Sequence, residues 1–123
     1  TEILRGAGSL LDDGRSSWDG MPYKAYPSGR PQLTVIKVTF PPHSQVPWHN
    51  HSMPIAGYVL SGELTIEKKA GGEIRRLKQG EVVTEMVGSV HRATSGDKPS
   101  VLIAFFCWRR RHAYLGKSRI SWN

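Results

Sequence analysis

His49 and His51 stand two residues apart in the segment PWHNHSM. On an extended chain, residues i and i+2 face the same side about 6.6 Å apart, so two imidazoles at that spacing can converge on one ion. The same spacing also suits two surface or hydrogen-bonded histidines, and the pair alone leaves both readings open. A third histidine, His91, in its own strand-like segment behind Gly88, favours the shared ion. His43, in a Pro-flanked loop, and His112, in a basic tail, are expected to be exposed and are assigned no role. Glu85 lies shortly before His91, where a turn carboxylate is expected to be solvated; support of a ligand, or a displaced ligand position, is the alternative. The single cysteine, Cys107, excludes an intramolecular disulfide and a cysteine-based zinc cluster, which leaves any metal to His, Asp or Glu. Its apolar surroundings in sequence predict a core thiol.

The segments that must position these residues read as strands. In LTVIKVTF, Leu33 to Phe40, the residues Thr34, Ile36, Val38 and Phe40 make one face against Leu33, Val35, Lys37 and Thr39, the pattern of a half-buried strand. After Pro41-Pro42 come further strand-length pieces: Val46 to His51, Ile55 to Leu60, Glu63 to Lys69, Ile74 to Leu77, Glu81 to Thr84, Val90 to Thr94 and Val101 to Trp108. Ser61-Gly62, Gly71-Gly72, Gln79-Gly80, Gly88 and Gly96-Asp97 separate them. Short strands with no helical period between them predict an all-β fold, a small antiparallel barrel or sandwich. Residues 1–32 form an irregular arm, broken repeatedly by Gly and Pro after Leu11; residues 33–107 form the barrel, and residues 108–123 a basic tail. The arm's Trp18, Tyr23 and Tyr26 are expected to cover the core. By alternation Gly57, Val59, Ala93 and Ser95 share the histidines' side and predict a small, largely apolar pocket wall, while Trp48 and Tyr58 face outward.

A chain of 123 residues makes one domain. The net charge of +7 resembles a nucleic-acid signal until it is divided: residues 1–107 hold 12 Lys/Arg against 10 Asp/Glu, whereas residues 108–123 hold five basic residues and no acid. The body therefore reads as no specific nucleic-acid binder, and only the tail suits a polyanion. No stretch approaches the roughly 20 apolar residues of a bilayer span, which predicts a soluble protein with no membrane partner. A start at Thr1 without a basic-then-apolar leader implies a trimmed chain or a removed signal peptide.

The motifs resemble the cupin superfamily. His49-Asn50-His51, three residues, Ile55, six residues and Gly62 are similar to its first motif; Gly80, Met86-Val87-Gly88 and His91 are similar to its second, with Met86 where the family usually has proline and Ser95 where it often has asparagine. The text PWHNHSMPIAGYVLSGELTI resembles small single-domain bacterial cupins, some made with export signals, which tilts the expected location towards the periplasm or exterior. The resemblance implies a jelly-roll β-barrel (double-stranded β-helix) of six to eight strands, a homodimer, and His49, His51 and His91 as metal ligands. Family members with the full ligand set carry glutamate where Ile55 stands, so the implied ligand set is three neutral imidazoles. Such a set suits one divalent transition ion, iron, zinc, nickel or copper, and favours a small anionic ligand that offsets its charge. Three-histidine cupins include thiol-oxidising dioxygenases, a likeness of ligand set and not of pocket.

Three functions follow as expectations: a metal-dependent enzyme such as a small-molecule oxygenase; a non-catalytic cupin that binds or senses a metal or small ligand; and an interaction protein that works through the basic tail. The second draws on the lack of any clear acid or base among the residues expected to face inward.

Overall fold

A computed structural model describes residues 10–24 and 29–109. Among these residues there are eight strands and no helix: β1 (Pro31–Phe40), β2 (Gln45–His49), β3 (Ile55–Ser61), β4 (Leu64–Lys68), β5 (Ile74–Leu77), β6 (Val82–Thr84), β7 (His91–Ser95) and β8 (Ser100–Arg109). They form two four-stranded antiparallel sheets, β1-β8-β3-β6 and β2-β7-β4-β5, the antiparallel sandwich that the alternating pattern predicts, in the jelly-roll arrangement that the resemblance implies. No helix among the described residues is long and apolar enough to cross a membrane.

β1 shows why the pattern works. Phe40 and Val38 are buried and Ile36 and Thr34 half-buried, whereas Leu33, Val35, Lys37 and Thr39 are exposed. The inward residues of both sheets interdigitate in one core of Val38, Phe40, Val46, Val59, Leu64, Ile66, Leu77, Val83 and Leu102. Burying each such side chain contributes roughly 1.5–3 kcal/mol. A second cluster, Met53, Ile55, Ala104 and Phe106, caps one end.

The main core corrects the expected pocket wall. Val59 is fully buried within it, Ala93 packs against it, and a Cβ on Gly57 would meet Leu102 and Val83 at 3.1 and 3.2 Å. Ser95 instead donates to the Pro41 carbonyl at 2.6 Å and closes a loop. Side chains of both sheets, Val83 and Leu102 from one and Val46, Leu64, Ile66 and Leu77 from the other, fill the interior at this level. Tyr58 is exposed, as expected.

The described part of the arm, residues 10–24, contains no strand and lies across β6. The Trp18 amide donates to the Thr84 carbonyl at 2.9 Å and its ring packs on the core. The Asp19 carboxylate, its side chain 2% exposed, pairs with Lys68 at 3.0 Å. The Tyr23 hydroxyl donates to the carbonyl oxygen of Glu85. Core covering by Trp18 thus matches expectation; Tyr26, the Cys107 side chain, His112 and the tail from residue 110 lie outside the described residues.

Candidate metal centre

The three sequence-selected histidines come together at the end of the sandwich where β2 and β6 finish and β3 and β7 begin. The turns at Gly62, Lys78-Gln79 and Gly96 gather around a polar cleft at the opposite end. His43 belongs to that far end: it is exposed, and its amide donates to the Gly96 carbonyl at 2.8 Å.

β2 and β7 pair Val46 with Ala93 and His49 with His91, so three steps on β2 match two on β7. That extra residue is a bulge. A regular strand would put Val46 and Trp48 on one face and His49 on the other; the bulge lets Val46 enter the core while His49 faces its cross-strand partner. Trp48 is thereby left outside, where the Arg92 guanidinium lies 4.4 Å and the Lys69 ammonium 5.4 Å from its ring centre. His51 lies beyond the end of β2, in a loop tied down by Gly88, whose amide donates to the His51 carbonyl at 2.8 Å. Gly88 has φ +82°, a conformation most side chains resist, so the residue type itself permits this tie.

The imidazole centroids are 4.6 Å apart for His49–His91, 4.8 Å for His49–His51 and 5.0 Å for His51–His91. One donor atom from each lies within 4.8 Å of the others. Backbone carbonyls orient two of the rings: Nδ1–H of His49 donates to Pro47 at 2.7 Å, and Nδ1–H of His91 to Ser89 at 2.8 Å. A carbonyl can only accept, so these bonds place the proton on Nδ1 and leave Nε2 with the lone pair that a metal needs.

Burial disfavours an imidazolium at His49 and His51, lowering both pKa values, that of His51 to about 3. Both rings are therefore neutral, and ready to ligate, at neutral pH. His91 differs. Burial again opposes its charged form, but the adjacent Glu85 carboxylate outweighs burial and holds its pKa above the ordinary imidazole range.

Glu85 overturns the expectation of a solvated turn carboxylate. Its side chain is 7% exposed, and Oε1 lies 3.2 Å from Nε2 of His91. Burial pushes its pKa up, yet His91, with His51 and His49, brings it below the usual carboxylate value. The signal was an alternation carried one step too short: Val83 faces the core, so two residues on, past the end of β6, Glu85 faces inward as well. Thr84 is also buried, because the arm covers it, and this hides the period at that edge.

A family profile described as "Cupin domain" matches residues 36–106. Among solved structures, KdgF from Halomonas sp. is 24% identical with a TM-score of 0.57, over 77% of this chain and 94% of that one. A cupin domain from Bordetella pertussis Tohama I is also 24% identical, with a TM-score of 0.53 over 68% of this chain and 97% of that one. An oxalate oxidase is 23% identical with a TM-score of 0.53, matching 60% of this chain but only 41% of its own length. No curated protein matches the sequence.

Proposed function

Because the chain belongs to the cupin family, matched over residues 36–106, we propose that it is a metal-dependent enzyme, of oxygenase or related type, acting on a small anionic molecule. The convergence of His49, His51 and His91, with donor atoms within 4.8 Å, carries this reading. A divalent ion held there, iron, zinc, nickel or copper, would supply Lewis-acid or redox chemistry.

The chain's own residues supply orientation and a dry surround. The carbonyls of Pro47 and Ser89 hold two imidazoles with Nε2 available. Met53, Ile55 and Phe106, each 3% exposed or less, exclude water from this end of the sandwich. The charge argument for an anionic substrate changes in size but not in sign: with the Glu85 carboxylate beside three neutral rings, a doubly charged cation is half neutralised, and a small anion offsets the remainder. Glu85 adds a buried, inward-facing carboxylate to this site. Among proteins of this fold, one is named as an oxalate oxidase, which fits a small acid as the first substrate class to try.

The test begins with the metal content of protein purified without chelator or His tag. Apo protein is then loaded separately with iron(II), nickel, copper and zinc, and oxygen consumption and product mass are followed over small acids, diketones and thiols. Ligand binding without turnover for every metal would refute the enzyme reading.

A homodimer belongs to the same reading. Leu33 and Val35 on β1, Phe105 on β8, and Tyr58 and Leu60 on β3 are exposed on one outer sheet face and suit a second copy. A monomeric mass at high concentration would count against it.

A further inference from the structure

The carboxylate of Glu85 and the imidazole of His91 meet in a way that a neutral His91 does not explain. Oε1 and Nε2 are both buried, 3.2 Å apart, and neither has a hydrogen-bond partner. Nδ1–H of His91 is committed to the Ser89 carbonyl, so on a neutral ring Nε2 turns a lone pair towards a carboxylate oxygen that also offers only lone pairs. Two buried acceptors facing each other need a cation between them, either a proton on Nε2 or a metal.

The separation suits a metal. Two donors bonded to one ion at about 2.1 Å lie about 3.0 Å apart at a right angle and about 3.4 Å apart at the tetrahedral angle. The Glu85–His91 distance falls between these values. The backbone explains how the carboxylate arrives: β3 and β6 pair Ala56 with Thr84, and the Glu85 amide donates to the Ile55 carbonyl at 2.8 Å. Glu85 is thus the cross-strand neighbour of Ile55, and it brings an oxygen donor to a wall where Ile55 offers only hydrocarbon. From the other side, Trp18 and Tyr23 donate to the carbonyls of Thr84 and Glu85, and hold that stretch of backbone against the barrel.

We propose that Glu85 is a fourth protein ligand, binding the ion through Oε1 alongside His49, His51 and His91. This rests on the metal-centre reading above and adds to it a hard, anionic donor. The site should then accept manganese(II) and iron(II) better than three imidazoles alone would allow.

The experiment compares the full chain with its Glu85→Gln, Glu85→Asp and His91→Ala variants. Chelator competition gives affinities for manganese(II), iron(II), zinc and copper(II), and cobalt(II) gives a visible spectrum that reports coordination directly. Glu85→Gln should weaken manganese(II) binding by about tenfold or more, weaken copper(II) binding less, and change the cobalt(II) bands; Glu85→Asp should recover part of each. The cobalt(II) spectrum separates ligation from mere support of His91, which would leave it unaltered. Wild-type affinities and an unchanged spectrum in Glu85→Gln, with binding lost in His91→Ala, would overturn the Glu85 ligand and leave the three-histidine centre standing. Failure of the wild-type chain to bind any of these ions would overturn both. Should Glu85→Gln fail to fold, the spectrum of Glu85→Asp decides: bands identical to wild type overturn the proposal.

Discussion

Lowering the pH of the metal-free protein from 6 to 5 should destabilise it through His51. Its ring is 7% exposed, and burial lowers its pKa to about 3, while in the unfolded chain an imidazole titrates near 6.5. The unfolded state therefore takes up a proton that the folded state refuses. The stability this confers on the folded state is full above about pH 6.5 and falls as the pH drops, until the folded pKa is reached. At about 1.36 kcal/mol per pH unit inside that window, His51 alone costs about 1.2 kcal/mol between pH 6 and 5 and about 2 kcal/mol by pH 5 relative to alkaline solution. His49, also lowered by burial, acts in the same direction. His91 acts in the opposite sense: its raised folded pKa contributes stability that is complete below pH 6.5 and is lost on going alkaline, so it is nearly constant over this interval. Glu85, with a lowered pKa, keeps most of its contribution above its unfolded value of 4.5. Urea unfolding at pH 7.5, 6 and 5 in the presence of chelator, on the wild type and on His51→Leu, measures the effect. The wild type should lose roughly 1 kcal/mol or more from pH 6 to 5, and the variant should lose clearly less. A flat or rising wild-type stability over that unit, or an equal slope in His51→Leu, would refute the reasoning.

Metal binding should compete with the proton on His91, whose pKa is raised: affinity should fall by up to tenfold per pH unit below that pKa, and calorimetry in buffers of different ionisation enthalpy should detect a released proton near pH 6.5. Replacing any one of His49, His51 or His91 with alanine should weaken binding steeply, as chelator competition would show, since two imidazoles make a poor site. Gly62→Ala should cost about 2–4 kcal/mol in urea unfolding, because Gly62 sits at φ +75° and a Cβ there would lie 2.4 Å from the Pro99 carbonyl oxygen and 2.9 Å from Ser100. Ile55→Glu should lower the melting temperature of the apo protein sharply, because it exchanges a 3%-exposed side chain, packed with Met53, Ala104 and Phe106, for a second carboxylate beside Glu85; excess manganese(II) should restore part of the loss.

Strand positions and the three histidines were legible in the residues themselves, and for a physical reason. A strand shows its buried face in a period of two, so LTVIKVTF declared β1, and Ile55, Gly57 and Val59 declared the inward side of β3. Glycine marks tight turns because few other residues tolerate them, and Gly62 and Gly88 stand where the backbone takes positive φ. Histidine type and spacing were enough to select His49, His51 and His91. What those side chains meet depends on which strands become neighbours, and alternation within one segment carries no record of that. Only the β2–β7 register shows the bulge that turns His49 inward while Val46 stays in the core. Only the β3–β6 pairing brings Glu85 beside Ile55 and to 3.2 Å from His91, with the arm lying across Thr84 and hiding the period that would have revealed it. The expected small-walled pocket was lost in the same way: one strand's inward residues make a cavity or a core according to what its neighbours and the facing sheet place beside them, and here Leu102 and Val83 from the adjoining strands and Val46, Leu64, Ile66 and Leu77 from the facing sheet fill the space.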